Sequence, residues 1–336
     1  MESRNEPIYR PILRDALTFA WKEKRFWIVG LLAGILMTGS VFDVIWRSIN
    51  SLASQASVVG VALPFWQKAV GTWSHLSIVY LIIGSLQTLI VTGFFLLIIF
   101  AVFSISVIAQ STLIHAIGMS RRGKKLVFGD SMRVGARALW PVLVLNIISL
   151  ATLLACRSLI AIALAFTLQV SSVLTFSLYL LAFILFTLLS VSTFIVQIFA
   201  TNAMILQGAT LAQAITRGID ILKRHWITAA EVAAILFLIS FGLFALAITG
   251  GLILSIPFII FLFISSMIGS GALFVFVTIL FLAIYIAFLL AAVGFSVILQ
   301  YATWTSMFRA FGEGGILPKL HRIARAFIHQ SDIPGA

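Results

Sequence analysis

Asp43 and Arg157 are opposite charges set in sequence that is otherwise hydrocarbon. They lie at matching depth, 16 residues past Trp27 and 17 past Trp140. On helices that is about 24 to 26 Å of rise, close to the far edge of a ~30 Å hydrocarbon core. The two are placed to pair within the membrane, or else each snorkels outward to the interface. Polar residues also recur at helical spacing in three apolar stretches. Ser104, Ser111 and His115 share a face, as do Ser190, Thr193, Gln197 and Thr201, and Ser296, Gln300 and Thr303. Such stripes either line a cavity or join helices by hydrogen bonds, at about 0.6 kcal/mol per pair.

Chemistry beyond this is sparse. There is no HExxH, no phosphate-binding Walker loop and no clustered His/Cys ligand set, so no catalytic residue, cofactor or metal site is assigned. The single cysteine, Cys156, excludes a disulfide framework.

The elements that must carry these residues follow from composition. Apolar residues make up 62% of the 336 and charged residues only 10%. A soluble domain carries about a quarter charged residues, and several stretches here exceed the ~18 apolar residues of a membrane span. The reading is an all-α, multi-pass integral membrane protein.

Its 22 Lys and Arg fall in four clusters. These are Arg4 to Arg25, Arg121 to Arg137, Arg217 to Arg224, and Arg309 to Arg325; only Arg47, Lys68 and Arg157 lie elsewhere. Basic flanks mark the cytoplasmic side, so an even number of spans is expected between successive clusters. Six transmembrane helices result, with both termini cytoplasmic in a plasma (inner) membrane. That parity makes Ile78 to Gly118 one long helix, bent near Gly84 or Gly93. It also breaks residues 227–268 at Gly250-Gly251 or Pro257 into one span and a short outer or re-entrant piece.

A junction recurs three times: an amphipathic charged helix, a tryptophan, then hydrocarbon. The copies lead into Trp27, Trp140 and Trp226. Each lead-in suits the headgroup layer. Arg14, Lys22 and Arg25, then Arg133 and Arg137, then Arg217 and Arg224 are positioned to contact anionic lipid. In the first copy Leu13, Leu17, Ala20 and Trp21 form the opposite, apolar face. After each lead-in come one span, a connection and a longer span. Three parallel repeats are therefore expected, about 10–120, 126–208 and 210–310, around an axis along the membrane normal. Residues 311–336 form a basic amphipathic tail in which Lys319, Arg322 and Arg325 also meet anionic lipid. The segment 64–76, with Trp66 and Trp73, is expected on the outer leaflet. Gly30 and Gly34 form a GxxxG packing motif.

ALTFAWKEKRFWIVGLLAG, FGDSMRVGARALW and AQAITRGIDILKRHW resemble the bacterial multi-pass membrane proteins related to the membrane domain of glycerophosphodiester phosphodiesterases. In that family a separate soluble barrel performs the hydrolysis. A barrel needs roughly 250 residues, so the tail after the last span is too short and the resemblance implies no phosphodiesterase activity. Gly294-Phe295-Ser296-Val297 resembles the serine motif of intramembrane rhomboid proteases, but Val297 stands where a glycine should follow.

The expected role is non-enzymatic: envelope or membrane homeostasis through lipid or a membrane or cytoplasmic protein partner, without nucleic acid. Alternatives are a transporter or channel for a small or lipid-like solute, and a lipid head-group enzyme. The topology is directly testable in a chain whose Cys156 is replaced by alanine. A cysteine at Ser120 or Gly314 should resist an impermeant thiol reagent in intact cells, and one at Ser57 should react. Labelling at position 314 would break the even-span argument.

Overall fold

A computed structural model describes residues 9–35, 85–122, 126–165 and 172–312, and among these the chain is helical with no strand. The helices are α1 (Tyr9–Lys22), α2 (Trp27–Gly34), α3 (Ser85–Arg121), α4 (Phe128–Arg137), α5 (Leu139–Ala165), α6 (Ser172–Gln207), α7 (Leu211–Ile268) and α8 (Gly271–Gly312). Five of them, α3 and α5 to α8, are long and apolar enough to cross a membrane. The expected first span is described only over α2 and Ile35. Asp43, the 64–76 segment and the tail bearing Lys319, Arg322 and Arg325 lie outside the described residues, as does the side chain of Arg157.

Each lead-in is set off from the apolar helix that follows it by a break in helical geometry. Glu23 (φ −94°, ψ 59°) precedes a 3₁₀ turn at Lys24–Phe26, Ala138 has ψ near 4°, and His225 leaves helical geometry inside α7 (φ −128°, ψ 29°). The breaks free each lead-in to follow its neighbour's surface rather than its own span's axis.

The packing is cyclic. The three long helices α3, α6 and α8 all touch one another. The α2 helix contacts α8 and α3, α5 contacts α3 and α6, and α7 contacts α6 and α8. The lead-ins follow suit: α1 packs on α8 and α4 on α3, while the start of α7 packs on α6 through Gly218.

Lipid supplies no hydrophobic force between helices, so close approach at small residues must hold them. At the α2–α8 crossing, Gly30 faces Gly294: a Cβ on Gly30 would fall 2.7 Å from the Gly294 carbonyl oxygen. Packing therefore accounts for Gly294 in the serine-protease-like motif, and the expected role of Gly30 is met at this contact.

One expectation is corrected. Residues 227–268 do not break at Gly250-Gly251 or Pro257; α7 runs through all three to Ile268. The two glycines instead admit rings of α8, since a Cβ on either would lie 2.9 Å from Phe288 or Tyr285. A proline is tolerated where neighbouring helices and local adjustment re-satisfy its freed carbonyl. The chain reverses at Gly269, whose φ of +71° is the left-handed C-cap region glycine favours. The α7 and α8 helices pack together as one hairpin between the third and fourth basic clusters. The α3 helix is continuous through Gly93, and Gly84 lies outside the described residues.

Gly218 separates packing from backbone flexibility. A Cβ there would lie 2.8 Å from the Val196 carbonyl oxygen, whereas one at Gly242 meets nothing within 4 Å. Gly218→Ala should cost ~1–3 kcal/mol in detergent unfolding by overpacking. Gly242→Ala, in the same helix, should be neutral or stabilising by up to ~1 kcal/mol. Equal effects would remove close approach as the reason for the glycine.

Candidate functional site: a buried polar network and the lead-in faces

The polar stripes meet as follows. Gln197 Nε2 donates to Asn146 Oδ1 at 2.6 Å, and Asn146 Nδ2 donates to Gln110 Oε1 at 3.2 Å. Gln110 also hydrogen-bonds the hydroxyl of Tyr301, whose side chain is fully buried. One chain of amides thus joins α6, α5, α3 and α8. On the other side Gln300 Nε2 donates to Ser240 Oγ on α7 at 3.2 Å.

Of the sequence-expected lining residues, Gln197 and Gln300 make interhelical bonds. Thr201 and Thr303 turn back to the carbonyls of Gln197 and Leu299, each at 2.8 Å. His115 Nδ1 meets Ser131 Oγ at 3.2 Å and so ties α3 to the lead-in α4. Ser104, Ser111 and Ser190 are buried without a hydrogen-bond partner among the described residues. Thr193 and Ser296 are half-buried.

Sequence reasoning missed Gln110, Asn146 and Tyr301. A signal for Gln110 was available: Ser106-Val-Ile-Ala-Gln110, Thr193-Phe-Ile-Val-Gln197 and Ser296-Val-Ile-Leu-Gln300 repeat a hydroxyl, an isoleucine and a glutamine at fixed spacing. Asn146 and Tyr301 have no such echo.

Towards the lead-in end the three long helices close on apolar side chains. Trp304 is 1% exposed. Its ring sits edge-on to Phe199 at 5.9 Å and Phe194 at 6.1 Å, with Phe308 and Phe311 completing the cluster against Phe199. Leu113, Ile114 and Ile117 of α3 are buried beside them in the same core.

The lead-ins have three faces rather than two. Ala16 and Ala20, Ser131 and Gly135, and Ala214 and Gly218 are all buried. This small-xxx-small stripe enters the bundle, joined on α1 by Ile12 and Phe19. The basic residues Arg14, Lys22, Arg25, Arg133, Arg137, Arg217 and Arg224 are exposed. Large apolar groups, including Leu17, Trp21 and Met132, are exposed, and the Trp21 ring still meets Phe295 of α8 edge-on at 6.1 Å. Leu17 and Trp21 are therefore not on the buried face with Ala20. Of the junction tryptophans, Trp140 and Trp226 are exposed, but Trp27 is half-buried with its Nε1 donating to the Ala20 carbonyl at 2.8 Å. No protein-family model, curated protein or solved structure matches the chain.

If the amide chain is glue between helices, its links should couple. A double-mutant cycle of Asn146→Leu and Gln197→Leu should give an interaction energy near 0.6 kcal/mol and no more than ~1.7 kcal/mol in detergent or bicelle unfolding. Strict additivity would mean that the contact contributes nothing.

Proposed function

We propose that this is a non-enzymatic, six-span protein of the plasma (inner) membrane with both termini cytoplasmic. In this reading three parallel repeats, each a lead-in helix and a two-span hairpin, form a ring about the membrane normal. The cyclic contact order supports the ring, since each lead-in packs on the long helix of the preceding repeat and the first closes on the last. Its work is membrane or envelope homeostasis through contact with lipid or a membrane partner. The resemblance to phosphodiesterase membrane domains fits such a role.

The observation that carries the reading is the aromatic and aliphatic plug around Trp304. A solute path along the ring would pass between α3, α6 and α8, where apolar side chains pack together and the amides above them bond to one another. The exposed arginines of all three lead-ins add an inner-leaflet contact, each charge near an anionic surface contributing about 1 kcal/mol.

The test pairs two measurements. Neutralising Arg133 and Arg137 to glutamine should raise hydrogen exchange over α4 in anionic nanodiscs, with no change elsewhere and little change in zwitterionic discs. Proteoliposomes should show no protein-dependent leak of small solutes. Equal exchange in both lipids would move these faces to a soluble partner, and a saturable flux would replace the reading with transport.

A further inference from the structure

A cavity of about 450 Å³ opens between α1 and the ends of α3 and α8. Along one face of α1 it meets Asp15, Thr18 and Lys22, with Glu23 just past the end of that helix; Ser120 and Ser306 close the other side. Its chemistry is unlike the rest of the lead-in end. Of the five carboxylates among the described residues, two stand here, half-buried, in a chain that carries 22 Lys and Arg against 10 Asp and Glu.

The hydroxyls strengthen this bias. Thr18 donates its proton to the Arg14 carbonyl at 2.7 Å, and Ser306 donates to the Ala302 carbonyl at 2.6 Å. A hydroxyl whose hydrogen is committed offers only lone pairs. The cavity is therefore rich in acceptors and suits a ligand with several N–H donors. Lys22, exposed at the edge, supplies the complementary cation for an anionic group next to that amine. On the adjoining face of α1, Leu17 and Trp21 are 45% and 62% exposed and give acyl chains an apolar surface.

We propose that this cavity binds the head group of a membrane phospholipid carrying a phosphate and a primary amine, the amine among Asp15 and Glu23 and the phosphate at Lys22. The assignment rests on the lipid-contact reading above and names its ligand. A quaternary amine has no N–H to donate and should be discriminated against.

The full-length protein in nanodiscs of equal phosphatidylethanolamine, phosphatidylcholine and phosphatidylglycerol provides the test, with retained lipid counted by native mass spectrometry. Ethanolamine lipid should be held over choline lipid of the same chains by roughly tenfold, the scale of one charge-assisted hydrogen bond. Asp15→Asn combined with Glu23→Gln should abolish that preference and leave glycerol-lipid retention unchanged. Ser120→Phe, at an exposed position on the rim, should abolish it with both carboxylates intact, which covers a failure of the double variant to fold. Equal retention of the two lipids, or a preference indifferent to both variants, would overturn the site. Should glycerol-lipid retention still depend on the lead-in arginines, the lipid-contact reading would survive that result. Binding of free phosphoethanolamine in detergent, lost in the same variants, would keep the head-group chemistry and overturn the lipid as its source.

Discussion

The backbone of α2 meets that of α8 at Gly30 and Gly294, close enough that neither position has room for a methyl group. The same constraint acts where Gly135 lies over Ile108 and Thr112, and where Gly218 lies over Val196. Inside lipid, apolar side chains gain little by leaving one hydrocarbon for another, so helices associate through dispersion at short range and through polar contacts. These approaches bring α2, α4 and the start of α7 onto the long helices. The breaks at Glu23, Ala138 and His225 follow from them. A lead-in continuous with its span would point along the span and could not lie on its neighbour.

A second consequence is electrostatic. The C-terminal ends of α3, α6 and α8 come together, with Gly118, Gln207 and Gly312 around one small cavity. Parallel helices that end together also bring together the negative ends of their dipoles, and cations relieve the repulsion. Arg309 Nη1 reaches the Gly118 carbonyl at 3.5 Å, Arg217 hydrogen-bonds Gln207, and Arg122 lines the same cavity. Some of the basic charge at this end thus answers the helices themselves, while Arg14, Lys22, Arg25, Arg133, Arg137 and Arg224 remain exposed.

Composition and charge order made the membrane class, the basic clusters and the triplicate junction legible, because hydrocarbon runs and cationic flanks are strong local signals. The small-residue stripes were overlooked for the opposite reason. Alanine, serine and glycine carry no charge and little hydrophobicity, so a reading by amphipathicity saw the arginines beside them and placed Leu17 and Trp21 with Ala20. Pro257 and Gly250-Gly251 misled because breaker residues carry different weight in lipid. There an interrupted helix would expose backbone groups to hydrocarbon, and the ring contacts of Phe288 and Tyr285 explain the glycines instead. Among the polar residues, Gln197 and Gln300 stood out by stripe. Asn146 could not, being a lone amide in an apolar span whose partners lie 36 and 51 residues away.

The polar network and the aromatic plug differ in strength, and the difference bears on how the bundle could work. The three bonds linking Gln197, Asn146, Gln110 and Tyr301 together represent roughly 2 kcal/mol at typical membrane values. Removing one buried Phe or Trp from a packed core costs about 3–5 kcal/mol, and Trp304 and Phe199 are both buried in the plug. Opening a path between α3, α6 and α8 would lose such packing in addition to the bonds. The plug therefore dominates the closed arrangement, while the amides mainly fix the rotation of each helix, since a turned helix would leave an unpaired amide facing hydrocarbon. A bundle held in this way has its adjustable surfaces at the lead-ins, where small residues dock a short helix on one side and the arginines stand exposed on the other.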